Sequence, residues 1–149
     1  HNRHHYWAVE TTQVKARVQL IQGQPDVLLD GSHNPAGIRM LSLVMMYLST
    51  RKNGIFTVMG MVDTKDFADC VKAVAGRSDR FFAVDGFAPN AVPAETVADI
   101  ASFYTAAQIS PSLSAAVESA KKLALECGGI VVVCGSLYLA SEYLKSANN

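Results

Sequence analysis

Short apolar runs alternate with longer segments of helical period from about residue 17 to the end of this chain. Residues 55–59 and 130–134 are almost wholly apolar, as expected of strands that are buried on both faces. Residues 35–50 instead repeat apolar side chains with the spacing of one helix face. Buried strands separated by single amphipathic helices predict a mostly parallel sheet covered by helices on both sides.

The remaining segments complete the same pattern. Strands predicted at 17–22 and 26–30 are joined by a short turn, which indicates a hairpin and therefore one antiparallel edge strand. Further strands are predicted at 80–84 and 107–109, and further helices at 65–75, 94–104, 110–127 and 136–146. We expect one three-layer α/β/α domain of Rossmann-like type over residues 10–149, preceded by a linker or expression remnant at residues 1–9.

Composition excludes several classes of protein. The 149 residues carry 13 basic and 13 acidic side chains, with no basic run, so the basic field of a nucleic-acid-binding domain is missing. No apolar run is long enough to span a membrane, and no signal peptide is recognisable. We expect a cytoplasmic, monomeric domain. Cys70, Cys127 and Cys134 fit no disulfide or metal pattern, and their apolar surroundings predict buried, reduced thiols.

The first of three polar strand-to-helix junctions is Asp-Gly-Ser-His-Asn-Pro at residues 30–35. Ligands gather at such junctions in parallel sheets, because helix N-termini point their donors outward there. Asn34 is suited to cap the next helix and Pro35 to begin it. Asp30 either accepts hydrogen bonds from a hydroxyl, such as that of a ribose, or satisfies its own backbone. His33 is either a contact to a base or phosphate or an ordinary surface imidazole.

The second junction covers residues 59–66. Gly60 allows a sharp turn, and Asp63, Thr64 and Asp66 are candidates to cap the next helix. Lys65 could reach an anion, although a solvated lysine fits the sequence better.

The third junction covers residues 134–138, where Gly135 permits close approach of another chain segment. Ser136 is suited to cap the final helix, and it could also bind a carboxylate. No phosphate-loop motif, dinucleotide fingerprint or nucleophile elbow occurs in the chain. A Rossmann-like fold without a phosphate loop is typical of an accessory domain or a binding module.

Five segments, in order, resemble motifs of one enzyme family. Residues 30–35 resemble Asp-Gly-Ala-His-Asn-Pro, and residues 16–19 (Ala-Arg-Val-Gln) resemble Gly-Arg-x-Glu. Residues 59–66 resemble a turn of the form Gly-x-x-x-Asp-Lys-Asp, residues 93–95 (Pro-Ala-Glu) a helix start, and residues 135–138 the ending Gly-Ser-Leu-Tyr. These motifs are those of folylpolyglutamate synthase and dihydrofolate synthase, in the Mur ligase superfamily. The resemblance covers about residues 14–144 of this chain. It extends only to the C-terminal domain of the enzymes in that family.

The resemblance implies an ATP-dependent folate–glutamate ligase that forms ADP and phosphate through an acyl phosphate. Its substrates would be ATP, L-glutamate and either a dihydropteroate or a reduced folate. An N-terminal ATPase domain would hold most of the nucleotide and Mg²⁺, and the isolated C-terminal domain would be inactive. Carried over to this chain, Arg17 would contact the ATP phosphates, and Asp30 would hold the ribose or orient its neighbours. His33 would lie against the nucleoside, and Ser136 would help to seat glutamate.

The chain departs from the family pattern at Ala16, Gln19 and Asn90, where glycine, glutamate and arginine are expected. These changes bear more on the substrate pocket than on the nucleotide contacts. Two alternatives stay open: a Mur-type domain that builds peptidoglycan precursors, and a non-catalytic Rossmann-like binding module. Gly31 and the Gly-Ser-Leu-Tyr ending favour the folate branch.

Overall fold

The structure, a computed structural model, describes the backbone of residues 6–9 and the whole of residues 18–147. Within these residues the chain forms seven strands in one sheet and five helices. The strands are β1 (Tyr6–Val9), β2 (Val18–Ile21), β3 (Val27–Asp30), β4 (Ile55–Met59), β5 (Arg80–Ala83), β6 (Ala106–Ile109) and β7 (Ile130–Cys134). The helices are α1 (Pro35–Leu48), α2 (Phe67–Ala75), α3 (Ala94–Ala101), α4 (Leu113–Cys127) and α5 (Leu137–Ala147).

The strands lie in the order β1-β2-β3-β7-β4-β5-β6. Strands β3, β7, β4, β5 and β6 are parallel to one another, and β2 is antiparallel to both of its neighbours. The predicted antiparallel strand is therefore β2, and β1 extends the sheet beyond it. The sheet thus begins inside the segment predicted to be a linker or expression remnant, of which residues 1–5 lie outside the described residues.

Two hydrophobic cores hold the helices against the sheet, and the expected three-layer α/β/α architecture is confirmed. Helices α1, α2 and α3 pack side by side on one face, and α4 and α5 cover the other. Strand β7 serves both cores, because successive side chains of a strand point to opposite faces. Ile130 and Val132 join the core under α1–α3, whereas Val131 and Val133 join the core under α4 and α5.

The last strand along the chain lies in the middle of the sheet. Helix α1 carries the chain from β3 across β7 to β4, and α4 carries it back from β6 to β7. The loops after β3 and β4 lead to one face of the sheet, and the loop after β7 leads to the other. Diverging loops of this kind open a crevice at the carboxyl ends of neighbouring parallel strands.

Several local predictions require correction. Helix α2 begins two residues later than predicted, and α4 begins at Leu113 because the Ser112 hydroxyl, rather than Ser110, caps it. Cys70 and Cys134 are buried as predicted, but the prediction for Cys127 is wrong because it is the last residue of α4 and lies exposed at the helix end. None of the described helices is both long and apolar enough to cross a membrane.

Candidate functional site

The three junctions predicted to carry function lie side by side at one edge of the sheet. Asp30 at the end of β3 pairs with Cys134 at the end of β7, and Cys134 pairs on its other side with Met59 at the end of β4. The backbone N–H of Gly60 donates a hydrogen bond of 3.3 Å to the carbonyl oxygen of Cys134. The register therefore brings together the turns that contain Asp30, Gly60 and Ser136.

The turn after β3 is built around a buried carboxylate. Asp30 is fully buried, and its Oδ1 atom accepts hydrogen bonds from the backbone N–H of Ser32 at 3.3 Å and from the Ser32 hydroxyl at 3.0 Å. Buried carboxylates need such donors, because burial removes their hydration. Asp30 thus fixes the path of the turn through Ser32, a residue whose role the sequence pattern did not indicate.

Helix α1 begins as predicted. The side-chain oxygen of Asn34 accepts a hydrogen bond of 2.9 Å from the backbone N–H of Gly37, and Pro35 occupies the first helical position. His33 stands just before this cap and is partly buried, and its imidazole makes no hydrogen bond to any residue between 18 and 147. The first turn of α1 contains no acidic residue, so no carboxylate of the helix itself offsets the positive end of its dipole.

The turn after β4 is tied to the loop after β5. The backbone N–H of Val92 donates to the carbonyl oxygen of Met61 at 2.7 Å, and the N–H of Asp63 donates to the carbonyl oxygen of Asn90 at 2.8 Å. The prediction that Asp63, Thr64 or Asp66 caps α2 is wrong: the residue at the cap position is Asp66, and its side chain makes no capping bond. The backbone around Asp63 pairs with the neighbouring loop and does not lead directly into the helix.

A cap that sequence reasoning missed lies on that neighbouring loop. The Oδ2 atom of Asp85 accepts a hydrogen bond of 2.7 Å from the backbone N–H of Ala94, the first residue of α3. Pro93, at the cap position, has no side-chain acceptor. That lack was the one available signal that the acceptor must come from elsewhere in the chain.

The turn after β7 packs tightly onto the turn after β4. Gly135 has a φ angle of +113°, and a Cβ atom on this residue would overlap the carbonyl oxygen of Gly60. The Oγ atom of Ser136 accepts a hydrogen bond of 3.1 Å from the backbone N–H of Tyr138, which confirms that Ser136 caps α5. Ser136 is only 2% exposed, whereas Leu137 and Tyr138 beside it are 51% and 63% exposed.

A cysteine thiol lies beneath this edge of the sheet. Burial, and then the neighbouring Asp30, hold the pKa of the Cys134 thiol well above its usual range. A thiol that stays protonated at neutral pH is a poor nucleophile. Cys134 therefore contributes to the packing of the core, and it does not supply a thiolate nucleophile to the site.

Arg17, the remaining predicted site residue, lies outside the described residues. Val18, the residue after it, pairs with Asp30, so β2 begins at the same edge as the three junctions. Among the residues that the structure describes, no three His, Cys, Asp or Glu side chains are grouped so that they could hold a metal ion. The arrangement offers helix N-terminal donors, an imidazole and a buried hydroxyl, a set suited to binding polar, anionic groups.

Solved structures with the same fold carry this domain within longer chains. A Mycobacterium tuberculosis folylpolyglutamate synthase complexed with ADP and AMPPCP aligns with 84% of this chain at 20% identity and a TM-score of 0.73. A bifunctional folylpolyglutamate synthase/dihydrofolate synthase from Yersinia pestis CO92 aligns with 89% at 24% identity and a TM-score of 0.70. An E. coli FolC in complex with DHPP and ADP aligns with 84% at 23% identity and a TM-score of 0.69. The chain spans 29–31% of the length of these proteins.

The comparison with curated proteins gives no significant match. The family model described as "Mur ligase, glutamate ligase domain" matches residues 16–137, which include β2, the first two junctions and residues 134–137 of the third. That span is most of the 149-residue chain. The chain therefore belongs to the Mur ligase family, as a glutamate ligase domain.

Proposed function

We propose that this chain is the C-terminal domain of an ATP-dependent folate–glutamate ligase. The observation that carries the proposal is the convergence of the Asp30, Gly60 and Ser136 turns at the carboxyl ends of three adjacent strands. In parallel sheets this is the edge where ligands bind. The site would face an ATPase domain, and the two domains would enclose ATP and glutamate between them.

On the nucleotide side, the proposed site residues are Arg17, Asp30 and His33. Arg17 would bind the ATP phosphates, because its guanidinium is always charged and can donate to two oxygens at once. His33 would lie against the nucleoside, where its imidazole has no competing hydrogen bond within residues 18–147. The complete burial of Asp30 and its bonds to Ser32 favour a role in orienting the turn over direct contact with the ribose.

On the glutamate side, the proposed contact is Ser136. Its oxygen already accepts the N–H of Tyr138, so its own hydrogen remains available to donate to a carboxylate. A bound glutamate carboxylate would also lie near the positive end of α5. Ser136 is only 2% exposed, so a carboxylate would reach its hydroxyl only by entering the turn region around it.

The proposed reaction activates a carboxylate before the amide forms. An oxygen of the pteroate or folate carboxylate attacks the γ-phosphorus of ATP, and ADP leaves. The amine of glutamate then attacks the acyl carbon, loses a proton, and expels phosphate together with that carboxylate oxygen. Because water would destroy the acyl phosphate, the domain's proposed part is to cover the reacting groups as well as to bind them.

Mg²⁺ is proposed to be held mainly by the ATPase domain. Among the described residues, no three His, Cys, Asp or Glu side chains are grouped so that they could hold a metal ion. When bound with ATP, the ion would neutralise phosphate charge.

Two other functions compete with this proposal. Membership of the Mur ligase family favours a ligase over a non-catalytic binding module. A Mur-type domain for peptidoglycan precursors has the same fold, and residues 135–138 with Gly31 favour the folate branch.

The test is glutamate-dependent ADP release by the natural polypeptide that carries this domain together with its ATPase domain. Dihydropteroate and tetrahydrofolate are offered separately, each with and without glutamate. We expect ADP release that requires both glutamate and one of the two pteroates. A polypeptide that folds and binds ATP yet releases no ADP with either pteroate would contradict the proposal.

A further inference from the structure

One half-exposed leucine joins the two sides of the proposed site. Leu137 is 51% exposed, yet it packs directly on the turn that contains Asp30 and His33. A Cβ atom built on Gly31 would lie 2.5 Å from Cδ2 of Leu137 and 3.4 Å from its Cα and Cγ atoms. An alanine at position 31 would therefore force the leucine side chain to move away from this turn.

The residues on either side of this contact are those assigned to the two ligands. Gly31 stands between Asp30 and Ser32, whose hydrogen bonds fix the nucleotide-side turn. Leu137 stands between Ser136 and Tyr138, whose hydrogen bond fixes the glutamate-side turn. The backbone contact between Gly135 and Gly60 holds the glutamate-side turn to β4. The pairing of Asp30 with Cys134 places this turn beside the nucleotide-side turn, and the Leu137–Gly31 contact joins the two beyond the ends of the strands.

From this geometry we propose that Leu137 is a positioning residue. It sets the separation between the Ser136 turn and the turn that contains Asp30 and His33, and so places the glutamate amine against the acyl phosphate. The inference rests on the proposed function. Because the amine must approach the acyl carbon closely, a small displacement of the Ser136 turn slows the transfer to glutamate and leaves the earlier phosphorylation intact.

The test separates the two steps within one enzyme preparation. Hydroxylamine attacks the acyl phosphate directly, forms a hydroxamate and releases phosphate. Because it is a small free nucleophile, it does not need the glutamate-binding site. The ratio of glutamylated product to hydroxamate therefore reports positioning, and it does not depend on how much of the protein is folded. The variants are Leu137→Ala, Gly31→Ala and the conservative Leu137→Met. The control is Leu125→Ala, which removes a leucine on α4 that is 55% exposed.

We expect Leu137→Ala and Gly31→Ala to lower the ratio about tenfold or more, since misplacement of reacting groups has effects of this size. Leu137→Met and Leu125→Ala should keep the wild-type ratio. A Leu137→Ala enzyme that loses both products in equal proportion, or neither, would overturn the inference and leave the proposed function standing. A wild-type enzyme that forms neither product would overturn the proposed function, and the inference with it.

Discussion

Replacement of Gly135 by alanine tests the packing that brings the junctions together. The residue has a φ angle of +113°, and a Cβ atom there would overlap the carbonyl oxygen of Gly60. A left-handed backbone costs an L-residue roughly 1–2 kcal/mol. Forcing an extra methyl group into a packed site costs about 1–3 kcal/mol more. Together the two terms predict a loss of about 2–5 kcal/mol in the free energy of unfolding.

Gly86 provides the matched control. Its φ angle is +79°, but an added Cβ would meet no atom within 4 Å. Gly86→Ala should therefore lose only the backbone term, roughly 1–2 kcal/mol. Urea unfolding of the 149-residue chain, followed by circular dichroism, gives both values. Equal losses in the two variants would refute the reasoning, because the contact with Gly60 would then contribute nothing.

Four further predictions test other parts of the structure. Asn34→Ala should lower the free energy of unfolding by about 1 kcal/mol in the same assay, because α1 loses its side-chain cap, and an unchanged midpoint would contradict this. Iodoacetamide should label Cys127 alone in the native chain, since Cys70 and Cys134 are buried, and mass spectrometry of the peptides would reveal any other outcome. Burial raises the pKa of Cys70 from 9.0 to about 11, so between these pH values the folded state keeps a proton that the unfolded state loses. The free energy of unfolding should therefore fall as the pH rises through this range. The decline should be smaller in Cys70→Ala. Arg17→Ala in the complete ligase should lower turnover at least about tenfold, or 1.4 kcal/mol of barrier, and an unchanged rate would remove Arg17 from the proposed phosphate site.

The elements with the clearest local signals were predictable from the sequence. The bounds of β4 and β7 match the prediction, because both strands are buried throughout and glycines flank them. The start of α1 was predictable from Asn34 and Pro35, whose capping chemistry acts within a few residues. Local chemistry was sufficient in each case, since the stabilising partners lie close together along the chain.

Features that depend on distant contacts were not predictable in this way. Polar residues before α2 indicated a side-chain cap, but the backbone there pairs with the loop after β5. The cap on Ala94 comes from Asp85, nine residues away, and no local pattern identifies it. The central place of β7 and the contact between Leu137 and Gly31 follow from the strand order, which sequence periodicity does not determine.

The central claim is that this domain completes a ligase that activates a pteroate or folate carboxylate as an acyl phosphate. Oxygen-18 placed in that carboxylate tests it most directly, in the natural polypeptide supplied with ATP, Mg²⁺ and glutamate. Mass spectrometry should find one labelled oxygen in the phosphate released when the first glutamyl residue is added to each substrate molecule. Phosphate without the label, or a substrate that gains no glutamyl residue while ATP is consumed, would contradict the account.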